Sequence, residues 1–274
     1  MTQYLTCSPR PILQPCELTN HPYQIDPYIG CEHRCHYCYA LNHAETDWAH
    51  EILFHQDFSD QMKRELSMIE PQSIYFGWNS DPYQPLERTC QHTRQGLELL
   101  AQRDFSVCIL TKSDLVTRDI DVITQMPGSS VGLSIAFHEE RIREIFEANA
   151  PSNFRRLAAL KTLKDAGIET YALICPIMPY ITDVEACIEM VAPYADTIWF
   201  YALSMKAEQD TNWQAIHKIL VRYYPDLVDS YRQIVFSSEC TYWIGLRAKL
   251  EEIQAKTGLN MKIGLYVTER EKEI

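Results

Sequence analysis

The sequence predicts an α/β fold with parallel strands, and two observations predict it. Short apolar runs alternate with longer stretches of helical period through the middle of the chain. Several runs are also near-continuous, Val107-Cys108-Ile109-Leu110 being one. A strand that is apolar on both faces is one buried on both faces, as in a parallel sheet covered by helices. Strand–helix–strand repetition then calls for right-handed crossovers. Six such runs build either an open barrel or a doubly wound sheet, and the pattern alone does not choose between them.

Taken in order, residues 1–23 form an irregular arm, because Pro9, Pro11, Pro15 and Pro22 interrupt regular structure, as Pro27 does just beyond it. Strands are predicted at 24–30, 73–78, 107–112, 131–136, 169–177 and 197–203. Helices are predicted between them at 60–69, 93–103, 118–126, 152–166 and 183–194. Ser152 is placed to cap the fourth helix and Gly167 to end it. The tail from 212 reads as two helices and a last strand at 261–267, with Trp213, Ile216, Ile219 and Leu220 as a core-facing stripe. The implied organisation is an arm at 1–23, a core at 24–204 and an extension at 205–274 packed on that core.

Composition narrows the function classes. A chain of 274 residues favours one large domain. Such a fold buries about 75% of its unfolded surface and needs no disulfides. Hydrophobic residues at 46% and charged residues at 23% suit a soluble, ordered chain. A formal charge of −12 argues against broad, sequence-independent nucleic-acid binding. No run of about 18 apolar residues is present, so no membrane span is expected. The first fifteen residues hold Arg10 and three prolines, which is no secretory leader, so a cytoplasmic location is expected. Ten cysteines kept reduced in that compartment point to metal or redox chemistry.

Three of those cysteines lie together in Gly30-Cys31-Glu32-His33-Arg34-Cys35-His36-Tyr37-Cys38. Spacings of four and three put them on one helical face, where thiols serve as small hydrophobes, but Gly30 and the lack of a continuing apolar stripe oppose a helix. With His33 or His36 they would make a Cys3His zinc site, yet Cys7, Cys16, Cys90, Cys108, Cys175, Cys187 and Cys240 are scattered and supply no second ligand pair. The third reading is an iron–sulfur cubane, which takes four ligands; three thiolates leave one iron open, as catalysis requires.

The C-x3-C-x2-C spacing, with Tyr37 just before the last cysteine, resembles the signature of radical S-adenosylmethionine (SAM) enzymes. The wider chain is similar to the spore photoproduct lyase-like branch over about residues 26–183, more than half its length. The similarity runs through Asp26-Pro27-Tyr28-Ile29-Gly30-Cys31 and Ser80-Asp81-Pro82-Tyr83-Gln84-Pro85-Leu86-Glu87. It continues at Leu110-Thr111-Lys112-Ser113, Arg118-Asp119, Leu133-Ser134-Ile135, and from Arg156-Leu157 to Pro176-Ile177. The resemblance implies a partial (β/α)6 radical SAM barrel with a C-terminal helical and strand extension. It implies that Cys31, Cys35 and Cys38 each bind one iron of a [4Fe-4S] cluster and that the fourth iron chelates SAM. Reduction would give methionine and a 5′-deoxyadenosyl radical that takes hydrogen from a substrate. A flavodoxin- or ferredoxin-type protein would supply the electron.

By the same resemblance Lys112 pairs with the SAM carboxylate, Ser80 and Asp81 hold its amino group and ribose, and Ser134 is a further contact. Turn capping is the competing reading for Ser80, Asp81 and Ser134. Tyr37 and Tyr39 shield the cluster, stack near the adenine of SAM, or simply pack. Arg156 braces its helix, with Glu147 as a pairing partner, while Gln84 and Glu87 face the substrate side. The resemblance also breaks. The cysteine that serves spore photoproduct lyase as hydrogen-atom donor falls at Trp78, and an indole has no thiol to give. Cys175 and Cys240 are the weak alternatives for a catalytic thiol. Two other readings therefore stay open: DNA repair of the spore photoproduct lyase type, and a non-catalytic zinc or iron–sulfur protein.

Overall fold

The structure is a computed structural model describing residues 2–18, 20–236 and 241–265. The strands are β1 (Gln3–Thr6), β2 (Leu13–Pro15), β3 (Tyr23–Ile25), β4 (Tyr28–Ile29), β5 (Glu51–Phe54), β6 (Ser73–Phe76), β7 (Ser106–Thr111), β8 (Ser130–Ser134), β9 (Glu169–Ile177), β10 (Thr197–Ala202) and β11 (Met261–Gly264). The helices are α1 (Phe58–Leu66), α2 (Glu87–Cys90), α3 (His92–Ala101), α4 (Ile120–Ile123), α5 (Glu140–Phe146), α6 (Asn153–Asp165), α7 (Val184–Val191), α8 (Thr211–Tyr223), α9 (Val228–Phe236) and α10 (Thr241–Thr257).

The chain forms two compact units. The first comprises residues 1–34, 43–133 and 149–170. Here β3, β6, β7 and β8 pair in parallel in sequence order, with β2 antiparallel on the outer side of β3. A smaller sheet joins β1 in parallel and β4 in antiparallel to β5. Strands β6, β7 and β8 bury Ile74, Phe76, Val107, Ile109, Val131 and Leu133 almost completely, as their apolar character demands. Ser152 caps α6 by accepting a hydrogen bond from the Arg155 amide, and Gly167 follows the helix with φ +79°.

The second unit comprises residues 35–42, 134–148 and 171–274. Strands β9, β10 and β11 pair in parallel. Trp213, Ile216, Ile219 and Leu220 of α8 lie in a buried cluster with Phe137, Phe146 and Tyr231, so the predicted stripe is a core stripe.

Three expectations are corrected. The strand expected at 24–30 is two short strands, β3 and β4, which belong to different sheets. Pro27 has no N–H for a ladder, and the Asp26 side chain turns inward to accept from the Asn79 and Ser80 amides. The arm expected to be irregular carries β1 and β2. The tail holds three helices among the described residues, because Pro225 opens a tight turn that separates α8 from α9. The final strand is observed at Met261–Gly264; Val267, its expected end, lies outside the described residues.

Candidate active site

The cysteine loop follows β4, and its first half is built by the first unit. Gly30 turns the chain with φ +90°, and a Cβ there would stand 3.0 Å from the Ile52 Cδ1 and 3.1 Å from the Glu51 carbonyl oxygen. Cys31 comes next and is buried. The fully buried Gln84 grips the backbone on both sides of it. Its Nε2 donates to the Gly30 carbonyl at 3.0 Å, and its Oε1 accepts from the Glu32 amide at 3.0 Å. The Glu32 carboxylate accepts from the Leu86 amide at 2.7 Å and from the Tyr4 hydroxyl at 2.8 Å. The Glu32 carbonyl accepts from Asn149 Nδ2 at 3.1 Å.

The second half of the loop belongs to the second unit. Cys35 is buried and Cys38 half-buried. The Cys38 amide donates to the Cys35 carbonyl at 3.2 Å, closing a turn. The His36 amide donates to the Phe146 carbonyl at 3.0 Å, the Tyr37 hydroxyl donates to the fully buried Glu147 carboxylate, and Asn212 Nδ2 donates to the Tyr37 carbonyl at 3.4 Å. Arg143 Nη1 reaches the Glu147 carbonyl at 2.9 Å. Tyr39 is 41% exposed and begins a 3-10 turn, whereas Tyr37 is packed in the core. Burial pushes the His36 pKa down, which keeps that ring neutral.

The residues expected to hold SAM stand after β6 and β7 and at the end of β8. Strand β6 is followed by Gly77, whose φ is +92° and where a Cβ would lie 2.5 Å from the Leu110 carbonyl oxygen. Only glycine permits that approach, and the turn it allows delivers Ser80 and Asp81. The Ser80 hydroxyl donates to the Tyr28 carbonyl at 2.7 Å and its amide to Asp26 Oδ1 at 3.1 Å. Asp81 Oδ1 accepts from Thr111 Oγ1 at 2.6 Å and from the Tyr83 amide at 2.9 Å, while its Oδ2 accepts from the Lys112 amide at 2.7 Å. His33 Nδ1 lies 3.9 Å from the same carboxylate. Asp81 thus ties the turn after β6 to the end of β7, and Lys112 projects from that tied backbone. Ser134 is buried as the last residue of β8. Cys175 is half-buried on β9, and Cys240 lies outside the described residues.

Glu87 and Gln84, expected to face substrate, are both fully buried within the first unit. Glu87 accepts from the Tyr28 hydroxyl, from the Thr93 and Arg94 amides at 2.9 and 3.2 Å, and from Arg118 Nη2 at 2.6 Å. Burial and the Glu87 charge hold the Tyr28 hydroxyl in its neutral form. Burial opposes the Arg118 charge, but its bonds to Asp119 and Glu87 outweigh that and raise its pKa. Arg156, also fully buried, donates from Nε to the Pro151 carbonyl at 2.9 Å and so braces the start of α6 as expected. Sequence reading missed Gln84, Glu32 and Asn212 as holders of the cysteine loop and Asp26 as the anchor of the turn after β6. Gln84 meets its partners 52 and 54 positions away, and no local spacing signals that.

The donor set suits an iron–sulfur cluster. Three thiols stand within eight residues, on backbone held by bonds to neighbouring elements rather than by a helix of its own. Among the described residues no three His, Cys, Asp or Glu side chains close around one ion; thiolates that bind different irons need not do so.

Fold and loop together define an α/β protein of strand–helix repeats that carries a three-cysteine loop after an early strand. The chain belongs to the radical SAM superfamily, whose family model matches residues 25–191. It is 34% identical over 204 residues to an uncharacterized protein of Methanocaldococcus jannaschii, covering 72% of this chain and 76% of that one. An uncharacterized Mycobacterium tuberculosis protein is 25% identical over 229 residues, covering 77% of this chain and 66% of that protein. Among solved structures, spore photoproduct lyase complexed with dinucleoside spore photoproduct superposes with a TM-score of 0.69 at 15% identity, covering 92% and 78% of the two chains. Streptococcus suis SuiB bound to S-adenosylmethionine matches at TM-score 0.59 and 11% identity, covering 90% and 51%. The fold is accordingly the partial radical SAM barrel, and the protein is a radical SAM enzyme by class.

Proposed function

We propose that Cys31, Cys35 and Cys38 bind a [4Fe-4S] cluster and that the protein cleaves SAM reductively to abstract hydrogen from a substrate. The observation that carries this is the cysteine spacing on a loop whose backbone is fixed by Gln84 around Cys31 and by Phe146 and Asn212 between Cys35 and Cys38, with the Tyr37 hydroxyl held by Glu147. When bound, the reduced cluster supplies the electron that breaks the sulfonium C–S bond.

The chain's own residues bind and orient. The Lys112 ammonium is the counter-charge for the SAM carboxylate, and a lysine suits it as a compact point charge. Ser80 gives its hydroxyl hydrogen to the Tyr28 carbonyl, which leaves its oxygen lone pairs to accept from the SAM amino group. Asp81 fixes the backbone from which Lys112 projects and bounds the ribose side. Ser134 supplies a further polar contact. Cys175 and Cys240 are the thiols to test as hydrogen-atom donors to a product radical. The electron donor is of the flavodoxin or ferredoxin class, the location cytoplasmic, and the radical SAM core spans 24–204 with the extension 205–274 packed on it.

The test is anaerobic reconstitution, reduction and measurement of 5′-deoxyadenosine. A reduced, intact cluster that never cleaves SAM would refute the reading. A colourless protein with one zinc and no acid-labile sulfide would favour a structural metal site instead. Trp78, partly buried and edge-on to Tyr75 at 5.7 Å, speaks against thymine-dimer repair. Repair of a spore photoproduct dinucleotide by the pure protein would reverse that judgement.

A further inference from the structure

We infer that Gln84 is a positioning residue for Cys31, setting how the first cysteine of the loop is presented to iron; the inference rests on the cluster assignment above. Gln84 has no exposed surface, so its amide gains nothing from water and must be satisfied by protein. Both ends of the amide are used, and both on the loop. The donor end meets the carbonyl of Gly30, the acceptor end meets the amide of Glu32, and each bond is 3.0 Å long. Cys31 is the one residue enclosed by this pair. One planar side chain thereby fixes the peptide groups before and after Cys31, hence the direction of its Cα–Cβ bond.

The anchor is itself anchored. The Gln84 main-chain N–H donates to the Asp81 carbonyl at 3.3 Å, which places it on the same turn that ties Lys112. Two residues on, the Leu86 amide donates to the Glu32 carboxylate, so the 81–87 turn and the loop are joined at three points around Cys31. Gly30 adds to the precision demanded, since its positive φ lets the chain approach β5 where a side chain would clash. None of these contacts touches Cys35 or Cys38; the backbone between those two is held at His36 by Phe146 and at Tyr37 by Asn212, within the second unit. The arrangement therefore makes a residue-specific prediction.

The variants are Gln84→Met, which fills the volume and removes both bonds, and Gln84→Glu, which keeps an oxygen for the Glu32 amide and loses the donor to Gly30. The first readout needs no cluster. Cluster-free protein is pulsed with iodoacetamide and the cysteine peptides are quantified by mass spectrometry. Losing two buried hydrogen bonds is expected to raise Cys31 labelling about tenfold in Gln84→Met, with Gln84→Glu between it and the parent. Cys35 and Cys38 should stay within about twofold. Equal acceleration at all three cysteines, or none at Cys31, overturns the inference. Should Gln84→Met not fold, the same site-selective comparison on Gln84→Glu decides the matter. The second readout is the reconstituted cluster. Its rate of loss to an iron chelator should rise, and its electron paramagnetic resonance signal should change, in the order parent, Gln84→Glu, Gln84→Met. A parent that binds no cluster refutes the proposed function and this inference with it. A parent cluster indistinguishable from the Gln84→Met cluster refutes only the inference.

Discussion

Replacing Glu87 by alanine removes a fully buried acceptor that serves four donors. Left behind are the Tyr28 hydroxyl, the amides of Thr93 and Arg94, and one arm of Arg118. Arg118 keeps Asp119 at 2.7 Å, so the cation is not stranded, and the cost falls mainly on the other three groups. At about 1 kcal/mol for each of the four bonds, the loss is about 4 kcal/mol. With a urea slope of about 3 kcal/mol/M for a chain of this size, the midpoint should fall by about 1.3 M. The assay is urea unfolding followed by tryptophan fluorescence and far-ultraviolet circular dichroism, whose coincidence checks that one transition is being read. Asp121→Ala is the control, since it removes the mostly exposed partner of Arg94 and should cost under about 1 kcal/mol. A shift for Glu87→Ala no larger than the control's would refute the claim that this buried network holds Tyr28, and with it the strand leading to the cysteine loop.

Alanine at Cys31, Cys35 or Cys38, one at a time, should abolish acid-labile sulfide binding and SAM cleavage together; colorimetric iron and sulfide analysis beside chromatographic 5′-deoxyadenosine measurement checks it. Gly77→Ala forces a positive-φ backbone on a residue with a Cβ and drives that atom against the Leu110 carbonyl, so it should destabilise by about 3 kcal/mol or prevent folding, read as a fall in melting temperature. His92 is buried between Tyr28 and Phe58, and burial lowers its pKa from 6.5 to about 4. Between those values the unfolded chain binds the extra proton, so stability is lost as pH falls through the window, by up to about 3 kcal/mol. Equilibrium unfolding at several pH values should show that slope, and His92→Phe should flatten it; an unchanged slope would exonerate this ring.

What the sequence disclosed was local. The apolar runs around Ile109, Val131 and Ile174 became buried strands because continuous apolarity has one structural solution in a helix-covered sheet. Ser152 capped α6 because a cap is decided by residues three apart. The cysteine loop stood out because its chemistry is written in eight consecutive residues. What stayed hidden was distant. Nothing beside Gln84 announces Gly30 and Glu32, and nothing beside Asp26 announces the Asn79 and Ser80 amides that turn its carboxylate inward and split the expected strand. Glu87 was misjudged for the same reason: a carboxylate near a candidate site suggests an outward role until Arg118 and Tyr28 are seen to close over it.

The tie between Asp81 and Lys112 has a further consequence. The bond is made to the main-chain amide at 112, which every amino acid but proline possesses, so the hinge pin and the headgroup are separate parts. Exchanging the lysine for another side chain leaves the pin in place, and the terminus of β7 keeps its shape while the charge it presents is varied. On the role proposed for Lys112, ligand preference at this corner is free to drift, or to be engineered, without the scaffold beneath it being rebuilt.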